Sequence, residues 1–194
     1  MEPIATDRPL PQLVSSFSHA QGVLWIEEVR NLIRKKEKIT KVMDRAIEII
    51  DLIHSTDVKP HTTCKRGCSY CCHVPVGLTE CEALYIQAKT GKTANLKNEK
   101  ILTVETLKGA PCTFLKNGEC SIYEFRPLTC RVFSSFEDPE IYCNEASTLH
   151  YMFALESPTV KSTMINWVAF TAIVGLGKRE KRTRIKDIRQ FFPA

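Results

Sequence analysis

The chain reads as a mainly α protein with a small β-hairpin, a helical shell around an irregular, cysteine-lined metal centre. Three observations give this reading. Apolar residues recur at helical spacing on both sides of a central region. All nine cysteines fall in that central region, from Cys64 to Cys143. Between two of them an Asn-Gly pair separates short β-type runs.

In chain order, residues 1–18 are expected to be a loosely ordered lead-in, followed by a helical extension over residues 19–58. Trp25, Ile26, Val29, Leu32 and Ile33 predict a first helix between about 22 and 36. Ile39, Val42, Met43, Ala46, Ile49, Ile50 and Ile53 keep one face apolar through about four turns of a second. An antiparallel pair broken at residues 35–38 is expected, with one longer helix as the alternative. Thr79 followed by Glu82 resembles a capping box, opening a short helix that stops near Gly91. Residues 113–115 and 120–123, joined through Asn117 and Gly118, predict the hairpin, with Cys112 and Cys120 near its open end. Tyr123 and Phe125 are expected to pack against it. A last helical region, residues 146–177, starts with Ser157 as cap and Pro158 at the first helical position. Its expected face is Val160, Met164, Trp167, Val168, Thr171 and Val174, and it is expected to end near Gly175 or Gly177.

Composition narrows the function classes. Hydrophobic residues at 43% and charged residues at 25% are ordinary for a globular chain. The amino terminus carries no secretory signal pattern, and the longest apolar stretch, residues 164–176, is too short for a bilayer. A cytoplasmic protein without a membrane partner is therefore expected. There thiols stay reduced, and clustered cysteines point to metal or redox chemistry rather than disulfides. Nine is also odd, so pairing alone could not use every cysteine. Residues 178–189 hold seven basic and two acidic residues and account for the whole net charge of +5. Such a basic tail, residues 178–194, could touch nucleic acid or another acidic partner; a solvated helix end is the ordinary reading.

The chemistry centres on Cys64, Cys68, Cys71 and Cys72. Thiolates are soft ligands for zinc and iron–sulfur clusters, and close spacing turns sulfurs toward one site. Gly67 permits the tight backbone between them. Because neighbouring side chains tend to point apart, Cys71 and Cys72 are expected to serve different roles or different metals. Cys112, Cys120, Cys130 and Cys143 supply a second half. Gathering anionic sulfurs is electrostatically costly, and Arg126 and Arg131, with Lys65 and Arg66, are expected to offset it. Cys81 lies in the predicted helix and is read as a small buried apolar residue. His61 and His73 flank the first motif and are read as ordinary hydrogen-bonded histidines. Cys64, Cys68 and Cys71 also share the CxxxCxxC spacing of radical S-adenosylmethionine enzymes, but no strand–helix alternation follows the motif.

Together, the motif at residues 64–72, Cys112 with Thr113, Phe114 and Leu115, the stretch from Gly118 to Pro127 and the Cys130-Arg131 pair resemble the YkgJ-type cysteine-cluster family. That CxxCxxCC family is described as chelating zinc or iron. The resemblance covers about residues 60–145, the expected metal-binding domain. It implies eight metal-binding cysteines, which map onto Cys64, Cys68, Cys71, Cys72, Cys112, Cys120, Cys130 and Cys143. The related flagellin lysine methylases join such a domain to S-adenosylmethionine-dependent methyl transfer and imply a [4Fe–4S] cluster. Three functions follow as expectations. The first is an iron–sulfur protein acting as a redox or transferase accessory. The second is a structural zinc module whose outer helices bind a partner. The third is a methyltransferase, for which the chain shows no glycine-rich loop. Tyr70, Tyr123, Glu124 and Arg126 lie near the cysteines, but no catalytic base or nucleophile can be assigned, and the protein or small-molecule partner is unknown.

Overall fold

The computed structural model describes residues 16–62, 64–65, 67–98, 107, 110–134 and 163–193. Helix α1 (His19–Arg34) begins where the Ser18 hydroxyl accepts a hydrogen bond from the Gln21 amide at 3.2 Å. That bond satisfies one of the amides a helix start leaves without an intrahelical acceptor. Lys36, with φ of 55°, reverses the chain, and α2 (Ile39–Ile53) follows. The helix pair is therefore the arrangement adopted, and the single long helix is excluded. Helix α2 buries Val42, Met43, Ala46, Ile49, Ile50 and Ile53 as its spacing predicts, and Ile47 as well. Each such isoleucine contributes roughly 1.5–3 kcal/mol on burial. An exposed Arg45–Glu28 ion pair at 2.8 Å joins the same two helices. It is worth less than about 1 kcal/mol, so the apolar seam decides the packing.

Helix α3 (Glu80–Thr90) follows strand β1 (Gly77–Thr79), and its capping box is present. Thr79 Oγ1 accepts from the Glu82 amide at 3.3 Å, and Glu82 accepts from the Thr79 amide at 2.9 Å. The helix stops at Gly91, whose φ of 73° is left-handed. Glu82 has a second task. Its other oxygen accepts from the Leu128 amide at 3.2 Å, at the start of the short helix α4 (Leu128–Val132). One buried carboxylate thus caps two helices, and burial raises its pKa above the usual carboxylate range. The expected hairpin forms from β2 (Leu115–Lys116) and β3 (Glu119–Cys120), with Leu115 opposite Cys120.

The last long helix, α5 (Thr163–Glu180), departs from expectation in two ways. Ser157, Pro158 and Val160 lie outside the described residues. The buried face is Ile165, Val168, Ala169, Ala172 and Leu176, whereas Trp167 is 55% exposed. Apolar residues surround most of this helix, so periodicity did not single out the inward face. Small residues did: a Cβ on Gly175 would stand 2.6 Å from the Ile33 Cδ1 of α1. The helix also does not end at either glycine. Gly175 and Gly177 lie within it, and the chain turns only at Lys181, with φ of 55°.

The segment expected as a basic tail is folded. Strand β4 (Ile185–Asp187) pairs antiparallel with β1, placing Gly77 opposite Asp187 and Thr79 opposite Ile185. Helix α6 (Ile188–Phe191) follows, capped by Asp187 and Gln190, and buries Ile188 and Phe191. The sequence carried that signal in the spacing of Asp187 and Gln190, but the density of charge masked it. The result is a mostly helical chain with two small two-stranded sheets among the described residues.

Candidate metal centre

Four chain segments meet at the cysteines. Gly67, with φ of 84°, turns the first motif, and the Cys68 amide donates to the Lys65 carbonyl at 3.1 Å. Cys71 and Cys72 sit on a single 3₁₀ turn, Tyr70–His73. The second segment enters at Cys112, whose amide donates to the Cys72 carbonyl at 2.7 Å and joins the two halves of the site directly. The hairpin turns through Asn117 and Gly118, with φ of 51° and 78°. Two successive positive φ values are the type I′ geometry that a two-residue hairpin needs. The hairpin is shorter than expected, because Tyr123–Phe125 leaves it as another 3₁₀ turn. Cys130 projects from α4.

Six of the expected ligands, Cys68, Cys71, Cys72, Cys112, Cys120 and Cys130, line one cavity of about 360 Å³. Cys64 is half-buried and is not among its lining residues; its amide donates to Thr62 Oγ1 at 3.2 Å. Cys143 lies outside the described residues, as does Arg66. Cys81 is 1% exposed inside the apolar core, as expected, and burial pushes its thiol up to about 11. His73 Nδ1 lies 3.3 Å from the Ser69 carbonyl, and His61 is exposed. Among the described residues, no three His, Cys, Asp or Glu side chains converge at the spacing of one bound ion.

The expectation that Cys71 and Cys72 point apart is corrected. Both line the same cavity. As neighbours the two titrate together: Cys71 lowers the pKa of Cys72 and Cys72 raises that of Cys71, and the charges of Arg189 and Arg126 also favour the Cys72 thiolate. Elsewhere burial dominates. It pushes Cys112 to about 11 and raises Cys120 and Cys130, and neighbouring thiolates add to each shift. Without a cation between them, these sulfurs oppose one another's ionisation.

The arginines divide differently from the sequence reading. Arg126 lines the cavity, with its guanidinium 4.0 Å from the centre of the Tyr123 ring. Its Nε is buried and has no hydrogen-bond acceptor among the described residues. Tyr123, expected to pack the hairpin, is 45% exposed and forms this stack at the cavity wall. Arg131 spends its hydrogen bonds elsewhere, although its charge, like that of Arg126, still favours the Cys120 thiolate. It donates to both oxygens of Asp51 at 2.8 and 2.7 Å, to the Arg126 carbonyl at 3.2 Å and to the Glu124 carbonyl. It ties α4 and the preceding turn to α2. Arg189, from the segment read as a tail, adds a charge that favours the thiolates of Cys72 and Cys112.

The residues fit a thiolate-bound metal group. Six soft donors face one volume, their mutual repulsion calls for a cation, and Arg126 holds a buried donor without an acceptor beside them. Residues 63–148 match a family model, CxxCxxCC, described as "Putative zinc- or iron-chelating domain". This segment is similar to the CxxCxxCC domain. The match includes all eight expected ligands as well as Cys81, and leaves α1, α2, α5 and residues 181–194 outside it. No curated protein and no solved structure matches the chain. Among the described residues, no helix is long and apolar enough to cross a membrane.

Proposed function

We propose that the CxxCxxCC domain holds an iron–sulfur cluster through cysteine thiolates and serves as a redox or transferase accessory. The observation that carries this reading is the placement of six cysteines, from four segments, around one cavity. A mononuclear zinc site needs its sulfurs about 2.3 Å from a single point. A cluster is wider, because different irons take different thiolates, and side chains ringing a volume suit it better. When bound, such a group supplies one-electron chemistry or organises a substrate. Cys68, Cys71, Cys72, Cys112, Cys120 and Cys130 would hold it, Arg126 would offset their charge, and the apolar walls around Val74, Phe114, Ile122 and Phe133 would limit water.

Purification without oxygen, followed by metal and sulfide analysis, tests the reading. A brown protein with iron, acid-labile sulfide and broad visible absorption is expected. A colourless protein holding stoichiometric zinc would replace the cluster with a structural zinc module.

A further inference from the structure

Arg189 is contributed by α6, more than forty residues beyond the end of the family match at residue 148. Its side chain is only 9% exposed. It reaches both cysteine-bearing segments at once. Nη2 donates to the Val74 carbonyl at 3.2 Å, two residues after Cys72, and to the Ala110 carbonyl at 2.7 Å. Nε donates to the Pro111 carbonyl at 3.1 Å, next to Cys112. Nη1 is held by both oxygens of Asp187 at 3.1 Å. Asp187 is itself fixed, because it caps α6 and accepts from the Val76 amide at 2.8 Å. The bonded carbonyls flank the hydrogen bond from the Cys112 amide to the Cys72 carbonyl.

We propose that Arg189 is a positioning residue of the metal centre: its guanidinium locks the segments carrying Cys72 and Cys112 in register, so the centre is completed by residues outside the CxxCxxCC match. The proposal rests on the reading that these cysteines bind metal. Its physical basis is the fork of the guanidinium, whose five donors lie in one rigid plane and can bridge carbonyls of two chain segments together. A lysine keeps the charge but presents a single ammonium and cannot span the same set. The same segment makes a second tie, from Thr113 Oγ1 to the Phe192 carbonyl at 2.6 Å. Docking of the C-terminal segment and alignment of the thiolates are thereby one event.

The test uses the full chain with Arg189→Met and Arg189→Lys, and Arg184→Met as control. Arg184 sits just before the same strand and donates to Glu80 at 3.0 Å, and neither residue lines the cysteine cavity. Each protein is loaded with iron and sulfide, or separately with zinc, and challenged with a chelator. Arg189→Met is expected to lose metal at least about tenfold faster than wild type, the usual scale for outer partners of metal ligands. Arg189→Lys should give little rescue, and Arg184→Met should retain metal like wild type. In the metal-free proteins, hydrogen exchange at the Cys112 amide should quicken at least about tenfold in Arg189→Met, while exchange in α2 stays unchanged. Equal metal retention in Arg189→Met and wild type overturns the proposal. Equal loss in Arg184→Met, full rescue by lysine or an unchanged Cys112 amide does so too. Wild-type protein that takes up neither metal sinks the functional reading instead, and the Cys112 amide still decides whether the clamp exists. If Arg189→Met does not fold, Arg189→Lys carries the same measurements.

Discussion

The helical frame and the cysteine centre are held together by different physics. Helices α1, α2 and α5 are 15–18 residues long and meet through fully buried side chains such as Val29, Ile50 and Leu176. Their packing needs no particular ligand and is non-directional. The centre is made of two-residue strands, 3₁₀ turns and a five-residue helix. Elements that short are marginal on their own. They are fixed instead by directional bonds, many from single side chains that serve two segments. Glu82 caps α3 and α4, Arg131 ties α4 to α2, and Arg189 spans the two cysteine segments. A metal bound by the thiolates would add the same kind of constraint. The contrast teaches that the frame supplies stability and the centre supplies specificity of arrangement.

The largest effect is expected from the centre. Cys68→Ser or Cys120→Ser should strip bound metal and loosen residues 64–132, read as metal content and as hydrogen exchange, while α1 and α2 keep their protection. Collapse of the helical frame in either variant would break the division into two regions. Next comes Ile50→Ala, which opens a cavity at a residue with no exposure. It should cost about 2–5 kcal/mol in urea unfolding. Metal per folded chain should stay at the wild-type value, and a fall in proportion to stability would show that the frame is part of the site. The smallest effect separates the two regions within one residue type. Cys81→Ser places a hydroxyl among apolar neighbours and should cost roughly 1–3 kcal/mol. Its metal content should match wild type, and metal loss like that of Cys68→Ser would overturn the ligand set.

The frame was legible in the sequence because its stabilising term is periodic. Helix α2 buries the face that its isoleucines define, and the Thr79–Glu82 box and Gly91 set both ends of α3 where local backbone chemistry requires. The Asn117-Gly118 turn was equally local. Helix α5 was read less well, since its periodicity could not distinguish Trp167, which stays exposed, from Ala172, which is buried. There the close approach of Ile33 to Gly175 decided the face.

At the centre, the sequence by itself determined the donor chemistry: eight candidate thiolates in a chelating pattern, with Cys81 set apart by its place on a helix. Only the tertiary structure decided which arginines serve them. Arg131 adjoins Cys130 in sequence yet pairs with Asp51, whereas Arg189 is fifty-nine positions further on and touches the backbone beside Cys112. It also decided that Cys71 and Cys72 face one cavity together. The physical reason is range. Ligand softness, capping and turn preference act within a few residues and can be read along the chain. Charge compensation and carbonyl bridging act through space, and here the partner came from a segment whose net charge had suggested a solvated end.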